Sequence, residues 1–163
     1  MTRVRDRETL IARLVDHHRS PRHRGRMPDA DVSAPGGNPD CGDVVTVYLR
    51  ASPDGQRVAE ASFEGTGCTI SQGAASILLA RVNRDHPTFD AVREISYEEV
   101  LDDLGPEVVG FRHRCATLAL GTLKAAVRTL ELDRKLRAAG HSEEDIRRLR
   151  AAAGRVAGGD GSG

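Results

Sequence analysis

The sequence predicts an α+β domain, a small three-stranded antiparallel sheet packed with helices. Three observations carry this expectation. Residues 43–49 and 59–64 alternate their side chains between two faces around the turn Ser52-Pro53-Asp54-Gly55. Residues 8–19 and 115–130 repeat apolar positions at helical spacing. The chain has 163 residues, no internal repeat and no second core, which suits one domain.

In order, Leu10, Ile11, Leu14, Val15 and His18 make an amphipathic helix that Ser20-Pro21 stops. Arg22-His23-Arg24-Gly25-Arg26 reads as a solvated charge run, and His17, His18 and His23 as core-edge or surface residues. Residues 31–39, rich in Gly and Pro, form a loop into the turn at Cys41, with a short strand near Val32. Val45, Val47 and Leu49 then share one face, opposite Val44, Thr46 and Tyr48. Ala59, Ala61 and Phe63 repeat the pattern against Glu60, Ser62 and Glu64, giving a hairpin with one wet face.

Gly65-Thr66-Gly67-Cys68 closes the hairpin, and Ser71 is the expected N-cap of a helix through Val82. A short acidic helix over 97–104 ends at Gly105-Pro106, and Cys115 sits in the first turn of the helix that follows. Ser142-Glu143-Glu144-Asp145 starts one more helix. The expected organisation is a domain over 1–130, a helical extension over 131–153 and a disordered tail over 154–163.

Composition excludes several function classes. With 24 basic against 24 acidic residues, no Trp, two Tyr and three Phe, neither electrostatics nor stacking favours nucleic acid. The charged N-terminus leads into no apolar signal core and no run reaches membrane-spanning length, so no membrane and a cytoplasmic location are expected. An odd count of three cysteines fits metal or sulfur chemistry better than disulfides.

Cys41 and Asp43 lie two residues apart where the first hairpin strand opens, so extended geometry puts both on one side. Cys68 stands just ahead of a helix and Cys115 just inside another, where helix dipoles favour thiolate. Taken singly, Cys115 reads as a small buried hydrophobe, Cys68 as a turn residue and Asp43 as a strand-end carboxylate. Together, three thiolates and one carboxylate make a four-coordinate set acceptable to zinc. Its oxygen ligand exchanges more readily than a fourth thiolate, so the site can open to release a cysteine or admit iron and sulfide.

Asn38-Pro39-Asp40-Cys41-Gly42-Asp43, Phe63-Glu64-Gly65-Thr66-Gly67-Cys68-Thr69-Ile70-Ser71 and Arg112-His113-Arg114-Cys115-Ala116-Thr117-Leu118-Ala119 resemble, in order, the three cysteine motifs of the U-type iron–sulfur scaffold family. Leu14 to Gly25 resembles its N-terminal signature, with His18 where an aromatic is usual. The resemblance implies an IscU/SufU-like fold, with Cys41, Asp43, Cys68 and Cys115 as metal or cluster ligands. Within the family, the branch that hands clusters on through a chaperone has His before the third cysteine and an upstream Leu-Pro-Pro-Val-Lys. Here Arg114 and Gly105-Pro106-Glu107-Val108-Val109-Gly110 stand in those places. Arg-x-Arg-Cys followed by Ala-Thr-Leu-Ala is closer to the zinc-containing SufU branch, although the interval from Cys68 to Cys115 lacks that branch's usual insertion.

The resemblance implies a zinc-dependent sulfur acceptor, a sulfurtransferase-like partner of a cysteine desulfurase, in which Cys41 takes the sulfur and Arg112 docks the partner or steadies anionic sulfur. His113, one place off the scaffold histidine, is a weaker candidate for the metal, since from a helix start it points elsewhere. The alternatives are a scaffold that assembles a transient [2Fe-2S] cluster and delivers it to apo iron–sulfur proteins, and a structural zinc module that mediates contacts. A hydrolytic Cys-His site is disfavoured, because no histidine is placed as a base beside one thiol.

Overall fold

The computed structural model describes residues 5–157. The chain divides into two compact units, with the boundary between Val127 and Arg128. In order come α1 (Arg7–Arg19), β1 (Val32–Asn38), β2 (Asp43–Ala51), β3 (Val58–Thr66), α2 (Thr69–Asp85), α3 (Phe89–Glu94), α4 (Tyr97–Leu104), α5 (Pro106–Val109), α6 (His113–Ala138) and α7 (Glu143–Ala157).

The sheet of the first unit is antiparallel throughout, in the order β1-β2-β3. Strand alternation sets its faces: Val45, Val47 and Leu49 are buried, while Val44 is half exposed. Val32 and Ala34 of β1 and Ala61 and Phe63 of β3 join the buried set. The stretch expected as a loop with a short strand is strand over all of 32–38, although it contains Pro35, Gly36 and Gly37. β1 is an edge strand, where a missing N–H costs no ladder bond. Gly36 also lets α6 approach, since a Cβ there would lie 2.0 Å from Thr122 Oγ1.

The far edge of the sheet is covered. Phe63 N donates to His23 O and Gly25 N to Phe63 O, so the segment after α1 runs parallel beside β3. This changes the expected wet face: Ser62 is buried and donates to Gly25 O. On α2, Asn83 binds both the N–H and the C=O of Ala61. Asp6 caps α1 through Thr9 N, and Leu14 is the buried residue of that helix, which packs along α2.

The weakly patterned stretch over 86–110 holds three short helices, of which only α4 was expected. α3 starts at the Thr88 cap, which accepts from Ala91 N, and α4 at the Ser96 cap, which accepts from Glu99 N. These caps were legible, but α3 and α5 are too short to show a period.

In the second unit, Ser142 Oγ accepts from Asp145 N, and the Asp145 carboxylate accepts from Ser142, capping α7 as expected. Buried Asp133 pairs with Arg150. The tail expected to be disordered from Gly154 is helical through Ala157; residues 158–163 lie outside the described residues. No helix among the described residues is long and apolar enough to cross a membrane.

Candidate metal centre

Three segments far apart in the chain deliver the four candidate ligands. Asp43 opens β2 in register with Asn38 at the end of β1. Between them the chain doubles back, because the Asn38 carbonyl accepts from Cys41 N at 3.2 Å and from Gly42 N at 2.9 Å. The turn leaves Cys41 exposed, whereas Asp43, anchored in the sheet, is 1% exposed.

Cys68, rather than the expected Ser71, is the N-cap of α2. Its backbone is extended, and its Sγ accepts from Ser71 N at 3.5 Å. Cys115 lies in the first turn of α6 and is 1% exposed.

One ligand atom each from Cys41, Asp43 and Cys115 lie within 4.8 Å of one another. Cys115 Sγ is 3.4 Å from Cys41 Sγ. Cys68 stands beside this trio, outside its mutual spacing, with Sγ 3.9 Å from Asp43 Oδ2 and its N–H donating to Asp43 Oδ1 at 2.9 Å. Gly67 allows this approach, since a Cβ there would lie 2.3 Å from Asp43 Oδ1. Zinc–sulfur bonds of about 2.3 Å in a tetrahedron place sulfurs about 3.8 Å apart. The closest separations are of that size, and the donor set, three thiols and a carboxylate, is one zinc accepts.

The thiols differ electrostatically. Burial opposes ionisation of Cys68, but hydrogen bonds from Ser71, its backbone N–H foremost, and from Ile70 outweigh it and hold the thiol below its ordinary value. Cys115 goes the other way: burial pushes its thiol up, and Asp43, Cys41 and Cys68 beside it push further. The helix-terminus argument therefore carries for Cys68 and not for Cys115, where burial among acidic neighbours wins. A cation bound among these groups inverts that balance.

Two further contacts were not foreseen from the sequence. Asn38, 5% exposed, donates from Nδ2 to Cys115 Sγ at 3.6 Å. Exposed Arg114 pairs with Asp40 of the Cys41 turn at 2.7 Å. A surface cavity of about 390 Å³ opens beside Cys41, flanked by Asp40, Phe111 and Arg112. Phe111 is fully exposed, and Arg112 is exposed with no ion pair among the described residues. His113, the first residue of α6, is exposed and outside the ligand cluster. His17 meets Ser76 Oγ at 2.8 Å, and His23 is at the surface.

Sheet, helix order and the cysteine–aspartate cluster at one sheet end define the class: a U-type assembly domain of the IscU, SufU and NifU kind. The chain belongs to the NifU-like N terminal domain family, whose model matches residues 11–136, and so to the iron–sulfur cluster assembly scaffold family. It is 35% identical over 131 residues to the iron-sulfur cluster assembly scaffold protein IscU of Thermotoga maritima, covering 72% of this chain and 91% of that one. It is 30% identical over 136 residues to the zinc-dependent sulfurtransferase SufU of Bacillus subtilis, covering 74% and 90%. The fold also matches the N-terminal part of a nitrogen-fixing NifU-like protein from Brucella abortus, with a TM-score of 0.62 at 22% identity over 73% of this chain and 92% of that one.

Proposed function

We propose that this protein is a zinc-dependent sulfur acceptor for a cysteine desulfurase in iron–sulfur cluster assembly. The observation that carries the reading is an asymmetry among the thiols: Cys41 is exposed on a turn, while its neighbour at 3.4 Å, Cys115, is buried. A buried sulfur suits an anchor and an exposed one suits exchange with a partner. The similarity to a zinc-dependent sulfurtransferase and the residues around Cys115 support the same choice.

Cys41, Asp43, Cys68 and Cys115 would hold the metal, which, when bound, keeps thiols deprotonated. The Cys41 thiolate attacks the outer sulfur of a partner's cysteine persulfide. A new S–S bond forms on Cys41, the partner's S–S bond breaks, and the partner's cysteine leaves as thiolate, with no net oxidation. Arg112 lines the mouth, makes no ion pair among the described residues, and serves the incoming anionic sulfur or the partner surface, with Phe111 as an apolar contact. Proximity does most of the catalysis. The cell compartment for this chemistry is the cytoplasm, and downstream partners are apo iron–sulfur proteins or other assembly factors.

The test is the rate of a cysteine desulfurase with and without the protein. Wild type raises the rate and Cys41→Ala does not; full stimulation by Cys41→Ala overturns the reading. The second reading, a [2Fe-2S] scaffold, is favoured by the 35% identity to a protein named as such. It predicts that iron–sulfide reconstitution yields a cluster that passes to an apo-ferredoxin.

A further inference from the structure

Asn38 touches the candidate centre in three ways. Its carbonyl holds the turn that carries Cys41, its backbone is in register with Asp43, and its side chain donates to Cys115 Sγ. It is almost wholly buried, and among the described residues its Oδ1 finds no hydrogen-bond partner. An amide buried with half its hydrogen-bonding capacity unused is costly unless the other half has a purpose. A thiolate is the partner that makes an N–H worth burying, because a donor aimed at an anion is stronger than one aimed at a neutral thiol.

The sulfurs are treated unequally. Cys115 Sγ receives the Asn38 N–H and Cys68 Sγ receives the Ser71 N–H. Among the described residues no N–H meets the Cys41 sulfur, whose contact is Cys115 Sγ. Hydrogen bonds to sulfur withdraw charge from it and fix its orientation toward a metal.

We propose that Asn38 is a positioning residue whose amide N–H pins Cys115 Sγ as a lasting anchor of the metal centre, leaving Cys41 as the thiol free to exchange. This rests on the reading of Cys115 as a metal ligand. In Asn38→Leu a methyl replaces the donor at nearly the same shape; in Asn38→Ala the contact is gone.

The experiment loads wild type and both variants with Co(II) and records the sulfur-to-cobalt charge-transfer bands, then measures zinc affinity by competition with a chelator. Without the N–H, the Cys115 sulfur donates more strongly, so the bands move to longer wavelength in both variants. Zinc affinity falls about 10-fold to 100-fold, the range for loss of a contact behind a ligand. Urea unfolding of the metal-free proteins establishes folding, and Asn38→Leu decides the matter should Asn38→Ala not fold. Unshifted bands overturn the proposal, whether affinity is unchanged or falls, since a fall alone makes Asn38 only a residue of the turn. If wild type itself shows no sulfur-to-cobalt bands, the ligand reading has failed and the proposal goes with it, a result read before any variant is made.

Discussion

The Asp43 carboxylate accepts the backbone N–H of Cys68 at 2.9 Å, so the candidate oxygen ligand also ties the start of β2 to the start of α2. The two roles separate by substitution. Asp43→Ala removes a charge-assisted bond to a buried carboxylate and is expected to cost about 1.5–3 kcal/mol in urea unfolding of metal-free protein. Asp43→Asn keeps an acceptor oxygen and loses less than half of that. Both weaken zinc in a chelator competition; equal destabilisation by the two would count against the tie.

Gly67→Ala tests the same corner from the other side. The added methyl would lie 2.3 Å from Asp43 Oδ1 and 2.5 Å from Ser71 Oγ, so the carboxylate must swing away from Cys68. The expected outcome is a loss of about 1–3 kcal/mol in stability, typical of overpacking, together with zinc affinity at least tenfold weaker. Unfolding and metal competition on the same sample check both.

Gly36→Ala drives a methyl to 2.0 Å from Thr122 Oγ1, where β1 meets α6. About 2 kcal/mol of destabilisation is expected from this overpacking. Thr122→Ala makes room, so the double variant should recover most of the loss. A double-mutant cycle with a coupling of about 1 kcal/mol or more confirms the contact, and additive effects refute it.

His17 should give the fold a pH dependence. Burial, with Arg22 and Arg13 nearby, holds its imidazole below the ordinary histidine range against a smaller upward pull from Asp16. Ser76 Oγ accepts from Arg22 N at 2.7 Å, and its own proton is therefore available to His17 Nδ1, an arrangement for the neutral ring. The unfolded chain takes up this proton near pH 6.5 and the folded chain only at lower pH. Stability is thus whole above about pH 6.5 and declines as pH falls through the window down to the lowered folded value. His17→Gln, whose amide oxygen can accept from Ser76, should lose less Tm than wild type between pH 7.5 and 5.5.

Much of the fold was legible because it is written in local periods. Val45, Val47 and Leu49 announce a strand with one buried face, and the run from Leu10 to His18 announces a helix with a Ser-Pro stop. The chain from 32 to 38 was harder to read: Pro35, Gly36 and Gly37 speak against a strand, and only the edge position and the approach of Thr122 make them fit. α3 and α5 left no periodic trace. The continuation of α6 past residue 130 was hidden by a charged stretch whose helical face has few apolar residues.

For the site, the sequence alone determined the donor types and their local settings: a thiol and a carboxylate on one turn, and two more thiols at helix starts. Those are properties of neighbours in the chain. The tertiary structure decided the relations between residues from 25 to 77 positions apart, which no local pattern encodes. It brings Cys41, Asp43 and Cys115 within ligand distance of one another and sets Cys68 at their side. It buries Cys115 and exposes Cys41, and it puts the Asn38 amide against the Cys115 sulfur. Burial and convergence arise from packing strands and helices around one core, so the different settings of three identical thiols emerge only when the chain is folded.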